Sequence, residues 1–213
     1  MAKVAPSMLS ADFLHLADDV EMVNANADIF HLDIMDGVFV PNISYGFPVV
    51  EAIASMAARP MDAHLMIVSP EKYVKRFAGC GVDMLSFHLN AAENPDEVLD
   101  MIHSEGVKAG IAINPDIPVE SLYPYLAKCD FVLIMSVFAG FGGQKFIEDT
   151  YGRIAAVKAE ISRTGSRCLI EVDGGVSPDN AEKLVNAGAD ILVAGSSVFK
   201  ASDPAAAISA MRG

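Results

Sequence analysis

The chain has 213 residues, 52% of them hydrophobic and 20% charged, which is enough apolar material for one large core and too little length for two full-sized catalytic domains. Intrinsic disorder and small disulfide-stapled folds are excluded, and a single domain over 1–213 is expected. Fifteen Lys and Arg against 28 Asp and Glu leave a formal charge of -13, a sign that repels phosphate backbones and anionic membranes at long range, so nucleic acid is not an expected partner.

The N-terminal segment lacks the apolar run of a signal peptide, and no stretch reaches the roughly 18 uninterrupted apolar residues of a membrane span, so a soluble protein without a membrane partner is expected. Cys80, Cys129 and Cys168 are scattered, odd in number and form no CxxC pair, which fits a reducing cytoplasm better than a disulfide framework or zinc finger. Short apolar runs alternate with helical patterns about every 26 residues. The strands are expected at 4–7, 29–35, 61–67, 83–88, 107–113, 130–137, 168–173 and 190–195. Helices are expected near 12–25, 47–57, 70–79, 95–105, 118–128, 148–163, 178–188 and 204–212. Ser69-Pro70, Asn94-Pro95, Ser177-Pro178 and Asp203-Pro204 supply start signals, and Gly79, Gly106 and Gly188 supply stops. Eight serial βα units predict an α/β fold, a single-domain (β/α)8 TIM barrel, rather than an open doubly wound sheet, since no GxGxxG follows the first strand.

A barrel of this kind places its chemistry at the C-terminal ends of several strands. In the second strand the period of two puts His31, Asp33 and Met35 on one face. His64 and Met66 share a face at the end of the third strand, and Asp173 ends the seventh. A single His on an apolar strand is more often a hydrogen-bonded core residue, and a single Asp at a strand end is often a helix cap. Four such residues at neighbouring strand tops form a set suited to a divalent transition metal, with imidazole favouring Zn, Fe, Co or Mn over Ca or Mg. Asp33 lies within an apolar strand, where an unpaired carboxylate is costly unless a cation or hydrogen-bond donors satisfy it.

Two carboxylates beside a Lewis acid suit two-base epimerisation next to a ketone through a metal-stabilised enediolate. Met35, Met66 and Met135 would wall the reacting carbon with polarizable groups that carry no proton, although without the metal site core packing is the commoner use of Met at such positions. Gly140-Phe141-Gly142-Gly143, Gly174-Gly175 and Gly195-Ser196 follow the sixth, seventh and eighth strands, where backbone N–H groups can approach a phosphate.

The chain resembles the ribulose-phosphate 3-epimerase family nearly end to end. The resemblance rests on Pro6-Ser7-Met8-Leu9-Ser10-Ala11-Asp12-Phe13, His31 to Gly37 with Phe39-Val40-Pro41-Asn42, His64-Leu65-Met66, Met135-Ser136-Val137, Gly140 to Gln144, Glu171 to Val176, and Ala194-Gly195-Ser196. It implies interconversion of D-ribulose 5-phosphate and D-xylulose 5-phosphate, in the pentose phosphate pathway, with one divalent metal ion per subunit, Zn ahead of Fe, Co or Mn. His31, Asp33, His64 and Asp173 would be the ligands and Asp33 and Asp173 the two acid/bases. Ser7 and His64 would contact substrate, and the three glycine loops would hold its phosphate. The chain departs from the family at Phe138-Ala139, where Asn-Pro is usual, and at Asn90, where Glu is usual. An allulose-6-phosphate 3-epimerase is the nearest alternative, followed by a metal-dependent lyase and a sugar-phosphate-binding module on the same barrel. Barrels of this size often associate, so a homo-oligomer is expected.

Overall fold

Apolar runs with both faces buried pair readily as parallel strands, and in the computed structural model, which describes residues 1–212, all eight expected runs do so. They are β1 (Lys3–Pro6), β2 (Phe30–Met35), β3 (Met61–Met66), β4 (Met84–His88), β5 (Lys108–Ile113), β6 (Phe131–Met135), β7 (Leu169–Asp173) and β8 (Ile191–Ala194). The sheet order β1-β8-β7-β6-β5-β4-β3-β2 is parallel throughout, and a bridge between Ser7 and His31 brings its two ends together. The result is a single-domain (β/α)8 barrel. Around it lie α1 (Leu16–Asn26), α2 (Phe47–Ala54), α3 (Val74–Ala78), α4 (Pro95–Ser104), α5 (Thr150–Thr164), α6 (Pro178–Ala187), α7 (Ser196–Phe199) and α8 (Pro204–Met211). Among the described residues, no helix is long and apolar enough to cross a membrane.

Three helical expectations differ from the structure. Residues 118–128 contain a 3-10 helix, Val119–Tyr125, with Pro124 inside it, because a proline lacks the N–H that an α-helical ladder needs there. Residues 70–79 divide into a 3-10 turn, Pro70–Lys72, and the short α3. The segment after Gly195, read as a loop, contains α7. Of the expected caps, Asp203 accepts the Ala206 N–H at 2.9 Å, and the Ser177 N–H donates to Asn180 Oδ1 at 2.9 Å. The Ser69 and Asn94 side chains make no capping bond.

Outward-facing Leu32, Leu65, Leu85, Ile111, Val132, Ile170 and Leu192 pack beneath the helices in the main core, each contributing about 1.5 to 3 kcal/mol by burial. The floor of the barrel is a separate apolar cluster that includes Ile29, just before β2, and Met84, Phe131 and Ile191, the first residues of β4, β6 and β8. Gly110 on β5 makes room for the Phe131 ring, since a Cβ at that position would lie 2.5 Å from Phe131 Cζ.

Immediately before each floor residue stands an aspartate that clamps the strand preceding it. The N–H of Val4, Met61, Ala109 and Ile170 donates at 2.9 Å to Oδ2 of Asp28, Asp83, Asp130 and Asp190, respectively. In return the aspartate N–H groups donate to the carbonyls of Val4, Met61, Ala109 and Ile170 at 2.8 to 3.1 Å. This closed pair of bonds recurs four times and joins β1 to β2, β3 to β4, β5 to β6 and β7 to β8. Asp28 is further held by Arg212, Asp130 by His103 and Asp190 by Lys158. Asp130→Ala or Asp190→Ala leaves a strand-edge N–H without its charged acceptor. Each should lower stability in urea unfolding by about 1 to 3 kcal/mol, with the Asn variants losing less because their amide oxygen still accepts.

Candidate active site

The upper half of the barrel interior is polar. Because side chains alternate along a strand, His31, Asp33 and Met35 of β2, Asp62, His64 and Met66 of β3, Ser86 and His88 of β4, and Glu171 and Asp173 of β7 all point inward. His31, Asp62, His64, Ser86, His88 and Glu171 are fully buried, Asp33 is 4% exposed, and Asp173 is half-buried at the mouth.

One donor atom each from His31, Asp33, His64 and Asp173 lies within 4.8 Å of the others. Asp33 is central: its Oδ1 is 3.5 Å from His31 Nε2 and 3.3 Å from His64 Nδ1, and its Oδ2 accepts the Ser7 hydroxyl at 2.5 Å. The far nitrogens of both imidazoles are engaged elsewhere, His31 Nδ1 with Asp62 Oδ2 at 2.7 Å and His64 Nε2 with His88 Nε2 at 2.9 Å. His31 Nε2 is buried and has no hydrogen-bond partner.

These groups demand positive charge. Burial opposes an ionised Asp33, yet the His31 charge and the contacts from His31 and His64 hold its carboxyl well below the usual range. Burial likewise opposes a charged His31, but Asp33, Asp62 and Glu171 together hold its imidazole well above the usual value. Burial and the Asp33 charge push Asp173 up to about 6, and burial and Asp62 push Glu171 up to about 8. Burial and the neighbouring His64 push His88 well down. Two imidazole nitrogens and two carboxylates around an unsatisfied Nε2 fit a divalent transition metal ion, which would meet the demand for positive charge that a proton otherwise meets.

Above this cluster opens a cavity lined by Ser7, Asp33, Met35, Met66, Met135, Asp173 and the three glycine segments: Gly140, Phe141, Gly142 and Gly143 after β6, Gly174 and Gly175 after β7, and Gly195 and Ser196 after β8. Sixteen positions were singled out from sequence, and the structure brings fourteen of them to this cavity, with His31 and His64 buried beneath it. Met35, Met66 and Met135 are both core and wall, buried yet in contact with the cavity. No Lys or Arg is among the lining residues, and Lys145 lies outside. Across the mouth, the Asn42 side chain donates to the Gly140 carbonyl at 2.8 Å. The Gln144 amide folds the loop onto itself through the carbonyls of Phe138 and Phe141. At the departure from the family pattern, the Ala139 N–H donates to Asn114 Oδ1 at 3.0 Å, a bond that proline could not make. Phe138 lines the cavity, whereas Asn90 sits on the surface in the 3-10 turn Leu89–Ala91, away from the cluster.

Four buried polar residues of this interior, Asp62, Ser86, His88 and Glu171, escaped the sequence reading. The signal was available for Asp62 and Glu171: the parity that places His64 and Asp173 inward places them inward too, one step deeper. His88 carried the same parity signal on β4.

A (β/α)8 barrel with its polar groups from several strands gathered at the C-terminal mouth is the architecture of an enzyme. The model of the ribulose-phosphate 3 epimerase family matches residues 3–199. The chain belongs to this family and is an epimerase. It is 45% identical over 215 residues to ribulose-phosphate 3-epimerase of Bacillus subtilis, covering 100% of this chain and 99% of that one. It is 46% identical to the Synechocystis sp. protein of the same name, covering 98% and 92%, and 44% identical to that of Mycobacterium tuberculosis, covering 98% and 91%. Solved structures with the same fold include 3-hexulose-6-phosphate synthase from Salmonella typhimurium, with a TM-score of 0.72 at 14% identity over 98% of this chain and 96% of that one. Orotidine 5'-phosphate decarboxylase from Pyrococcus horikoshii gives 0.71 at 12% identity, over 99% of both. At such identity they share the barrel alone.

Gly174, next to Asp173, has φ 116, and a Cβ there would stand 2.4 Å from Val137 Cγ2 and 2.9 Å from the Val137 backbone nitrogen. Gly174→Ala should therefore cost about 1 to 3 kcal/mol in urea unfolding. By displacing Asp173 it should also lower kcat/KM by at least about tenfold.

Proposed function

We propose that the protein epimerises D-ribulose 5-phosphate and D-xylulose 5-phosphate at C3, with Asp33 and Asp173 as the two acid/bases. The observation that carries this reading is the placement of both carboxylates in one pocket, on strands separated by β1 and β8, directly below three glycine segments. The relatives' names supply the sugar, and the pocket supplies a chemistry that fits it.

His31, Asp33, His64 and Asp173 would hold one divalent metal ion. When bound, the ion supplies Lewis acidity toward the oxygens of the ketose. The chain's own residues do the rest. Backbone N–H groups of the loops after β6, β7 and β8, with Ser196, hold the phosphate and fix the distance of C3 from the carboxylates. One aspartate takes the C3 proton from one face of the sugar, leaving the electron pair in an enediolate. The other returns a proton to C3 from the opposite face, which inverts the centre, and the reverse reaction exchanges their roles. Ser7 holds Asp33 through its hydroxyl, and Met35, Met66 and Met135 present no exchangeable proton near the reacting carbon.

In deuterated buffer, xylulose 5-phosphate formed by the metal-loaded protein should carry deuterium at C3, read by mass spectrometry or NMR. Product without label, or no product, overturns the reading. Asp33→Asn and Asp173→Asn should each lower kcat by at least about a hundredfold while circular dichroism remains that of the folded barrel. Near-normal turnover in either variant removes that residue's role.

The lining holds no basic side chain, and the net charge is -13. Substrate capture therefore relies on short-range contacts, and raising ionic strength should leave kcat/KM within about twofold of its low-salt value.

A further inference from the structure

Asp62 is a fully buried carboxylate outside the four-donor cluster. Parallel pairing of β2 with β3 sets it beside His31, and parity turns both side chains inward. Its Oδ2 lies 2.7 Å from His31 Nδ1. The next carboxylate oxygen, Glu171 Oε1, stands 3.6 Å from the same nitrogen, beyond a hydrogen bond, and neither Glu171 oxygen has a partner. Among the described residues, Asp62 is thus the one acceptor within hydrogen-bond reach of Nδ1. A ring N–H donates and a carboxylate oxygen accepts, so a hydrogen bond at this distance places the ring hydrogen on Nδ1 and turns Nε2 toward Asp33, His64 and Asp173. His64 is set the other way round: its Nδ1 faces Asp33 at 3.3 Å, and its Nε2 meets a second imidazole, His88, rather than a carboxylate.

We propose that Asp62 is a positioning residue of the epimerase: through its hydrogen bond to Nδ1 it orients His31 and makes Nε2 the nitrogen offered to the divalent ion. This inference rests on the metal-centred reading above. One strand then contributes twice, as β3 supplies His64 to the cluster and, two residues earlier, the group that orients the ring donated by β2. A carboxylate behind an imidazole raises the basicity of the ligating nitrogen and holds the ring plane, so its loss weakens the metal site without removing a ligand.

The test is metal affinity, measured by competition between the protein and a chelator of known strength for Zn²⁺. Asp62→Ala should lose about 10- to 100-fold in affinity. Asp62→Asn, whose amide oxygen can still accept from Nδ1, should recover most of that loss. Glu171→Gln should stay within about threefold of the parent, because Glu171 makes no hydrogen bond to the ring. Parent-like affinity in Asp62→Ala overturns the proposal, and so does a loss in Glu171→Gln as large as that in Asp62→Ala, which would make buried charge rather than the hydrogen bond the cause. Should Asp62→Ala not fold, the parent chain labelled with ¹⁵N-histidine and loaded with ¹¹³Cd²⁺ decides. Cadmium coupling to His31 Nε2, with a proton on Nδ1, supports the proposal, and coupling to Nδ1 overturns it. A parent chain that binds no divalent ion at all would instead count against the metal-centred reading itself.

Discussion

Closing eight parallel strands on themselves gives every inward side chain the same fate: it meets no solvent below the mouth and has only other strands' side chains for company. At the floor this favours Ile29, Met84, Phe131 and Ile191, which fill the space. Halfway up, the same geometry forces His31, Asp62, His64, His88 and Glu171 into one another, all fully buried. Such a set is costly to desolvate unless charges and hydrogen bonds match. The match is incomplete, since His31 Nε2, Asp62 Oδ1 and both Glu171 oxygens lack partners. The unmatched groups cost stability in the barrel's upper half, directly beneath the four-donor cluster.

The seam between β1 and β2 shows how closely closure and site depend on each other. These two strands share no regular ladder: β1 pairs with β8 and β2 with β3. At the bottom they are joined by the Asp28 clamp on Val4, itself tied to Arg212 near the C-terminus. At the top they are joined by the Ser7–His31 bridge and by the Ser7 hydroxyl on Asp33. The upper fastening is therefore made of site residues. On the opposite flank, Ser136 bonds the carbonyls of Asp173 and Gly174, so the β6–β7 pairing fixes where Asp173 stands.

The sequence announced strands best because continuous apolar runs bounded by Gly and Pro have few other uses in a chain of this composition. Parity along those runs was enough to turn His31, Asp33, His64 and Asp173 into one barrel. It stopped short of Asp62 and Glu171, since a carboxylate deep inside a barrel is improbable for any residue taken singly. Which imidazole nitrogen faces the cluster depends on the register between β2 and β3, and periodicity carries no register. The helical expectation over 118–128 failed at Pro124, where apolar spacing outweighed a missing N–H. Short α7 escaped because Gly195-Ser196-Ser197 carries turn chemistry at the start of one helical turn.

The four aspartate clamps have a bearing on how such a barrel can be divided. Each lies wholly within one pair of consecutive strands, so the chain is fastened as four quarters, with α2, α4 and α5 spanning the boundaries between them. A break near Glu105 and Gly106, after α4, would leave both halves with two intact clamps apiece, whereas a break between β5 and β6 would part Ala109 from Asp130. The chemistry does not divide as evenly. His31, Asp33 and His64 would stay with the first half and Asp173 alone with the second, so neither well-fastened fragment would hold the whole four-donor cluster until the two reassembled around the same mouth.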